Sequence, residues 1–241
     1  MSGMKIHANA FPVNNEKVPA LKANVSFELG EKIRVSGAQL WEGEKGLYLR
    51  MPCFKKGDGT YQDICHATTK EFREALQDTA LQAYASENHF WIKNGKTNPS
   101  IKATMNEYVN EERNIYGFGT MTFGGEFAVR DLQVKEVKSG ERAGGKFVAF
   151  PTNSYEKDGE THHRRIVEGK DQETQNLMQN LAMKAYKDKL VSKEQEAEVE
   201  QEAESKKPSL EEQVKGAEHK KAAKPSKENE TKKEKEEELS H

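Results

Sequence analysis

A chain of 241 residues with 34% hydrophobic and 32% charged side chains is poor in core-forming residues for a single evenly packed globule. Its formal net charge of −2 gives no nucleic-acid footprint from composition alone. Its two cysteines exclude a disulfide framework and fit a reducing compartment.

The apolar deficit is uneven. Residues 192–241 carry 11 Lys and 15 Glu and no aromatic side chain. Such a segment buries too little apolar surface to offset its ordering entropy. The remaining 191 residues carry a net charge of +2. No apolar run of about 18 residues, the length of a membrane span, occurs. The N-terminal MSGMKIHANAF lacks the charged and apolar regions of a secretion signal. The expectation is a soluble, cytoplasmic chain without membrane contact.

Weak alternation over 4–11 predicts a first strand. In 21–29, Leu21, Ala23, Val25, Phe27 and Leu29 share one face, the period of a half-buried strand. Gly30-Glu31 turns the chain, and Ile33 and Val35 begin a third strand reaching Trp41. After Glu42-Gly43-Glu44, the residues Leu47, Leu49 and Met51 form a fourth. Pro52 ends the ladder because it has no N–H to donate. Gly57-Asp58-Gly59 then turns into a short fifth strand over 60–65.

There the period changes. Phe72, Leu76, Ala80 and Ala83, with Ala75 and Thr79, recur at helical spacing. Thr68 or Thr69 can cap the helix, with Glu71 and Glu74 in its first turns. The connector 86–100 holds Phe90 and Trp91. These either dock on a neighbouring module or belong to a helix extension or an irregular strand.

The pattern then repeats. Residues 13–27 align without gaps on 109–123, Phe27 facing Phe123 at an offset of 96. LYLRMP at 47–52 faces FVAFP at 147–151, and Asp58-Gly59 faces Asp158-Gly159. The helical 71–84 faces 173–186 at an offset of 102, with Leu177, Met178, Leu181, Ala182 and Ala185 in the stripe. The fold class is α+β: two tandem modules, each a small antiparallel sheet followed by a helix and each with its own core. The modules span 1–85 and 101–190, joined by the connector 86–100. A Glu/Lys-rich tail, 191–241, is a disordered or helical tether.

The first copy's GLYLRMP, its basic loop, its DGTYQDICH and the helix residues Arg73, Gln77, Asp78, Leu81 and Tyr84 closely resemble the SpoVG family, known as stage V sporulation or septation proteins. The second copy keeps the strand order, Phe150-Pro151, Asp158-Gly159 and Ala185-Tyr186. Where the first reads Asp63-Ile64-Cys65-His66, it reads His163-Arg164-Arg165-Ile166. The resemblance implies dimeric, non-enzymatic proteins that bind DNA and RNA and regulate gene expression, sporulation and septum placement. It implies nucleic-acid contacts at Lys55, with Lys56 beside it, and at Arg73. Lys70 is a neighbour on the same helix start. In the second copy the basic character moves to 162–165, so Arg164 and Arg165 are its candidates. If the family dimer pairs identical modules, this chain can form that pair internally as a pseudo-twofold monomer, with further self-association open. The effective concentration of the linked copy is roughly millimolar.

Plainer readings stand beside these. Lysines on an exposed turn are usually only solvated, and Phe54, Tyr61 and Tyr155 can either stack on bases or pack. Asp63, Cys65 and His66 lack the convergent ligands of a metal site, and neighbouring strand residues point to opposite faces. Their expected role is structural, Asp63 or His66 satisfying backbone donors where the helix begins and Cys65 packing. No cofactor, metal or catalytic residue is expected. The alternative function is a protein-interaction module acting on septation or transcription machinery without nucleic acid.

Overall fold

The computed structural model describes residues 3–157 and 159–205. The expectations for Asp158 and for residues 206–241 of the tail lie outside the described residues. One compact unit ends at Lys193. The described part of the rest, 194–205, continues a helix.

The first half runs β1 (Ile6–Pro12), β2 (Leu21–Leu29), β3 (Ile33–Gly43), β4 (Gly46–Arg50), β5 (Cys53–Lys55), β6 (Tyr61–Asp63), β7 (Cys65–Ala67) and α1 (Lys70–Ala85). A strand β8 (Phe90–Lys93) follows. The second half runs β9 (Ile101–Asn110), β10 (Ile115–Phe123), β11 (Phe127–Glu136), β12 (Lys146–Ala149), β13 (Thr152–Lys157), β14 (Glu160–Arg165), β15 (Val167–Gly169) and α2 (Gln172–Ser205). The order of β1–β7 and α1 thus recurs in β9–β15 and α2.

Each half builds its sheet from the predicted alternation. Ala23, Val25, Phe27 and Leu29 of β2 are all buried. Gly30 and Glu31 turn β2 into β3 with φ of 57° and 59°, and Gly124 and Gly125 turn β10 into β11 with 60° and 71°. Two successive left-handed residues match the twist of a tight hairpin. The hairpins show that the offset here is 94, because Leu29 and Ile33 pair as Phe123 and Phe127 do. The gapless alignment was two residues out, and the even slip preserved every inward face. The second-half residues matching Asp63-Ile64-Cys65-His66 are likewise Arg165-Ile166-Val167-Glu168, since Ile64 N donates to Pro52 O and Ile166 N to Pro151 O.

The halves exchange their last strands. β15 pairs with β3, placing Val167, Glu168 and Gly169 opposite Val35, Arg34 and Ile33. β7 pairs with β11, placing Cys65, His66 and Ala67 opposite Val129, Ala128 and Phe127. The flanking bonds are reciprocal too. Ser36 N donates to Ile166 O at 2.8 Å and Arg130 N to Ile64 O at 2.8 Å. Lys170 N donates to Lys32 O at 2.7 Å and Thr68 N to Glu126 O at 2.8 Å. One sheet therefore runs β15-β3-β2-β1-β8 with β4 also on β3, and the other β12-β11-β10-β9 with β7 on β11.

One expectation needs correction. The halves do not have separate cores: one continuous cluster joins Phe27, Ile33 and Leu76 to Phe123, Phe127 and Met178. The exchanged strands carry Ile64, Cys65, Ile166 and Val167 into that shared interior. In the connector, Phe90 and Trp91 lie on a docked strand, β8, which adds to the edge of β1 with Phe90 opposite Asn9. Phe90 also meets His7 edge to face at 6.0 Å.

Thr69 caps α1, its hydroxyl accepting from Phe72 N at 3.2 Å, and Asp171 caps α2, accepting from Thr174 N at 2.7 Å. Thr68 instead donates to Gly125 O. Capping thus falls to Thr69, not to Asp63 or His66. Thr69→Ala is expected to remove about 1 kcal/mol from the unfolding free energy while Thr69→Asp retains it, read by urea titration.

Candidate nucleic-acid interface

Arg50 is the last residue of β4, and β4 pairs with β3. Its guanidinium lies over the Tyr61 ring at 4.9 Å and near the Trp41 ring at 5.8 Å, and it donates to Cys53 Sγ at 3.3 Å. Cation–π contact of this kind fixes an otherwise flexible side chain. Tyr61 stays 62% exposed, so one face of the ring is open for stacking.

Arg73 stands one turn into α1. It shares with Tyr48, Arg50, Asp63, His66 and Gln77 an open cleft of about 350 Å³. Arg130 approaches from the second half, its Nη2 lying 3.5 Å from His66 Nε2. It lines a neighbouring cleft of about 300 Å³ with Phe54, Gln62, Phe118 and Asp131. His66 lines the first cleft and is approached by Arg130, which lines the second. Three guanidinium groups from both halves thus line adjoining surfaces with two carboxylates and exposed aromatic rings.

Burial, followed by Arg130, holds His66 below the ordinary imidazole range, with Asp63 opposing and Arg73 adding to the depression. The unfolded chain therefore binds more protons between the folded value and about 6.5. Stability is expected to fall as pH drops through that window. His66→Gln should flatten this part of the pH profile of the denaturation midpoint.

Lys55 and Lys56 sit on the β5–β6 hairpin. Its turn is held by Lys56 N donating to Thr60 O at 2.7 Å and by Asp58, which accepts from the amide and hydroxyl of Thr60 at 2.9 and 2.6 Å. Those bonds keep the Asp58 carboxyl below its usual range. Both lysines are exposed, and Tyr61 ties their hairpin to Arg50. Lys70 does not join this group: its Nζ lies 3.7 Å from Glu74 Oε1, one turn on. Arg164 and Arg165 stand apart on β14. They line a different cleft, of about 570 Å³, with Phe11, Ser36 and Tyr155.

Sequence reading missed Arg50 and Arg130. Arg50 lies inside the quoted LYLRMP, where its place before Met51-Pro52 was a usable signal. Arg130 reaches the cleft only through the exchange of β7 and carries no local signal. Cys65 is fully buried, and burial raises its thiol far above the ordinary range, with Asp63 adding to the effect. Such a thiol is a poor nucleophile. Among the described residues no cluster of three His, Cys, Asp or Glu is placed to hold a metal, and no helix is long and apolar enough to cross a membrane.

These features define an α+β protein of strand-exchanged halves, with guanidinium groups and open aromatic rings gathered along shallow clefts. Comparison with known proteins places it further. The SpoVG family model matches residues 4–86. A relative from Agathobacter rectalis named "Putative septation protein SpoVG" is 39% identical over 72 residues, 30% of this chain and 83% of the relative. A protein of the same name from Bdellovibrio bacteriovorus is 33% identical over 114 residues, 45% of this chain and 99% of its own length. One from an Anaeromyxobacter species is 39% identical over 77 residues, 76% of its length. The chain belongs to the SpoVG family.

Proposed function

We propose that this chain is a non-enzymatic, cytoplasmic nucleic-acid-binding regulator made of two SpoVG-like modules paired within one molecule. Its relatives' names connect it to septation, and the family resemblance connects it to gene expression and sporulation. The reciprocal exchange of β7 and β15 supports the internal pair, because each half completes the other's sheet in the same register.

The observation that carries the nucleic-acid reading is the convergence of Arg50, Arg73 and Arg130 about His66, beside the exposed Lys55-Lys56 hairpin. Guanidinium forks suit phosphate oxygens, and open rings such as Tyr61 suit bases. The test is a titration of labelled single- and double-stranded DNA and RNA at two salt concentrations. Wild-type chain should bind and weaken steeply with salt. Changing Lys55, Lys56 and Arg73 together to Ala should weaken binding at this interface by about 100-fold and lower its salt slope. Binding absent at low salt, or indifferent to these changes, sinks the reading.

One observation favours a protein partner instead. β9 ends its sheet, and no described strand bonds to its outer edge. Tyr108 and Val109 near its end are 51% and 56% exposed. A strand from septation or transcription machinery could add there.

A further inference from the structure

The second half has neutral side chains where the first has its candidate cations. Strand register places Ala149 at the position of Arg50 and Ser154 at that of Lys55. The caps Thr69 and Asp171 place Gln175 at that of Arg73. Judged by equivalent positions alone, this half would have lost its site.

Positive charge returns by another route. The chain crosses from β3 to β4 in two residues, Glu44 and Lys45, but from β11 to β12 in nine, 137–145. The longer loop bends at Gly140 and Gly144, whose φ values of 87° and 82° suit glycine. It brings Lys138 and Arg142 to an open cleft of about 820 Å³ that Arg165 also lines. None of these three cations forms an ion pair with a described residue. Among the described residues, Glu136 is the one carboxylate lining the cleft, and Glu141 lies on the same loop.

A second feature points to an acceptor. Gln175 lines this cleft at 8% exposure and accepts from Gly169 N at 2.8 Å. Its Nε2 is buried with no hydrogen-bond partner. A buried donor without an acceptor is costly and uncommon, and a small turn of this amide toward the cleft would let it reach one.

We infer that this cleft is a second nucleic-acid site, in which Lys138, Arg142 and Arg165 hold backbone phosphates. One chain then binds two separate strand segments, one on each half. The inference rests on the nucleic-acid reading above and concerns a different residue set.

The test is stoichiometry. A labelled single-stranded oligonucleotide of about eight nucleotides, the length of a single site, is titrated into the full chain at concentrations well above its dissociation constant. Two equivalents are expected to bind. Changing Lys138, Arg142 and Arg165 together to Ala should leave one equivalent and an unchanged circular-dichroism melt, since all three are exposed. The Arg142→Ala change alone should weaken one site about tenfold. The variant lacking Lys55, Lys56 and Arg73 should keep the opposite equivalent. A wild-type chain that binds one equivalent, or a triple variant that still binds two, overturns the inference and leaves the first site standing. A wild-type chain that binds none overturns both.

Discussion

A fragment of residues 1–97 is expected to behave as a dimer, with twice its chain mass by light scattering. Cutting the chain there removes β15 from the edge of β3. Ile166 and Val167, both buried, leave with it, and burying each contributes about 2 kcal/mol. The bonds of Ser36 N to Ile166 O and of Lys170 N to Lys32 O are lost as well. A bare strand edge over an open core is a template for another strand. The fragment keeps a matching strand, because β7 stands where β15 stands. In a homodimer, Cys65, His66 and Ala67 of one copy would pair with Val35, Arg34 and Ile33 of the other. Ser36 N would donate to Ile64 O and Thr68 N to Lys32 O. In the intact chain the covalent link supplies that neighbour at high effective concentration, so the same test should find the full protein monomeric. A fragment that is monomeric and unfolds cooperatively would show the exchange to be dispensable.

Phe127→Ala is expected to lower the unfolding free energy by about 3–5 kcal/mol, a large part of the 5–15 kcal/mol usual for a domain. Phe127 is fully buried on β11 of the second half. It meets Phe72 of α1, in the first half, at 6.4 Å and 69°, and Phe123 at 6.5 Å. Removing its ring opens a cavity where the halves join. The consequence can be read in the half that does not contain the change, because Trp41 and Trp91 both lie in the first half. Tryptophan emission and far-ultraviolet circular dichroism should report the same reduced midpoint in urea, in a single transition. An unchanged tryptophan midpoint would mean that the halves unfold separately and that the shared core contributes nothing to their coupling.

The sequence by itself determined the local elements. Alternation over 21–29 and helical spacing over 71–84 survive in the fold because they reflect which side chains leave water, a property each segment carries alone. The recurrence of element order was legible for the same reason, and so were Lys55, Lys56 and Arg73 as exposed cations on a hairpin and a helix start. The tertiary structure decided which segments meet. Strand exchange pairs residues about 60 to 130 positions apart, as Cys65 with Val129 and Val35 with Val167, and such pairing leaves no local period to read. It merged two expected cores into one, brought Arg130 beside His66, and through a longer loop moved the second half's cations to Lys138 and Arg142. A side chain's chemistry is written at its own position, whereas its neighbours are chosen by the burial of the whole chain.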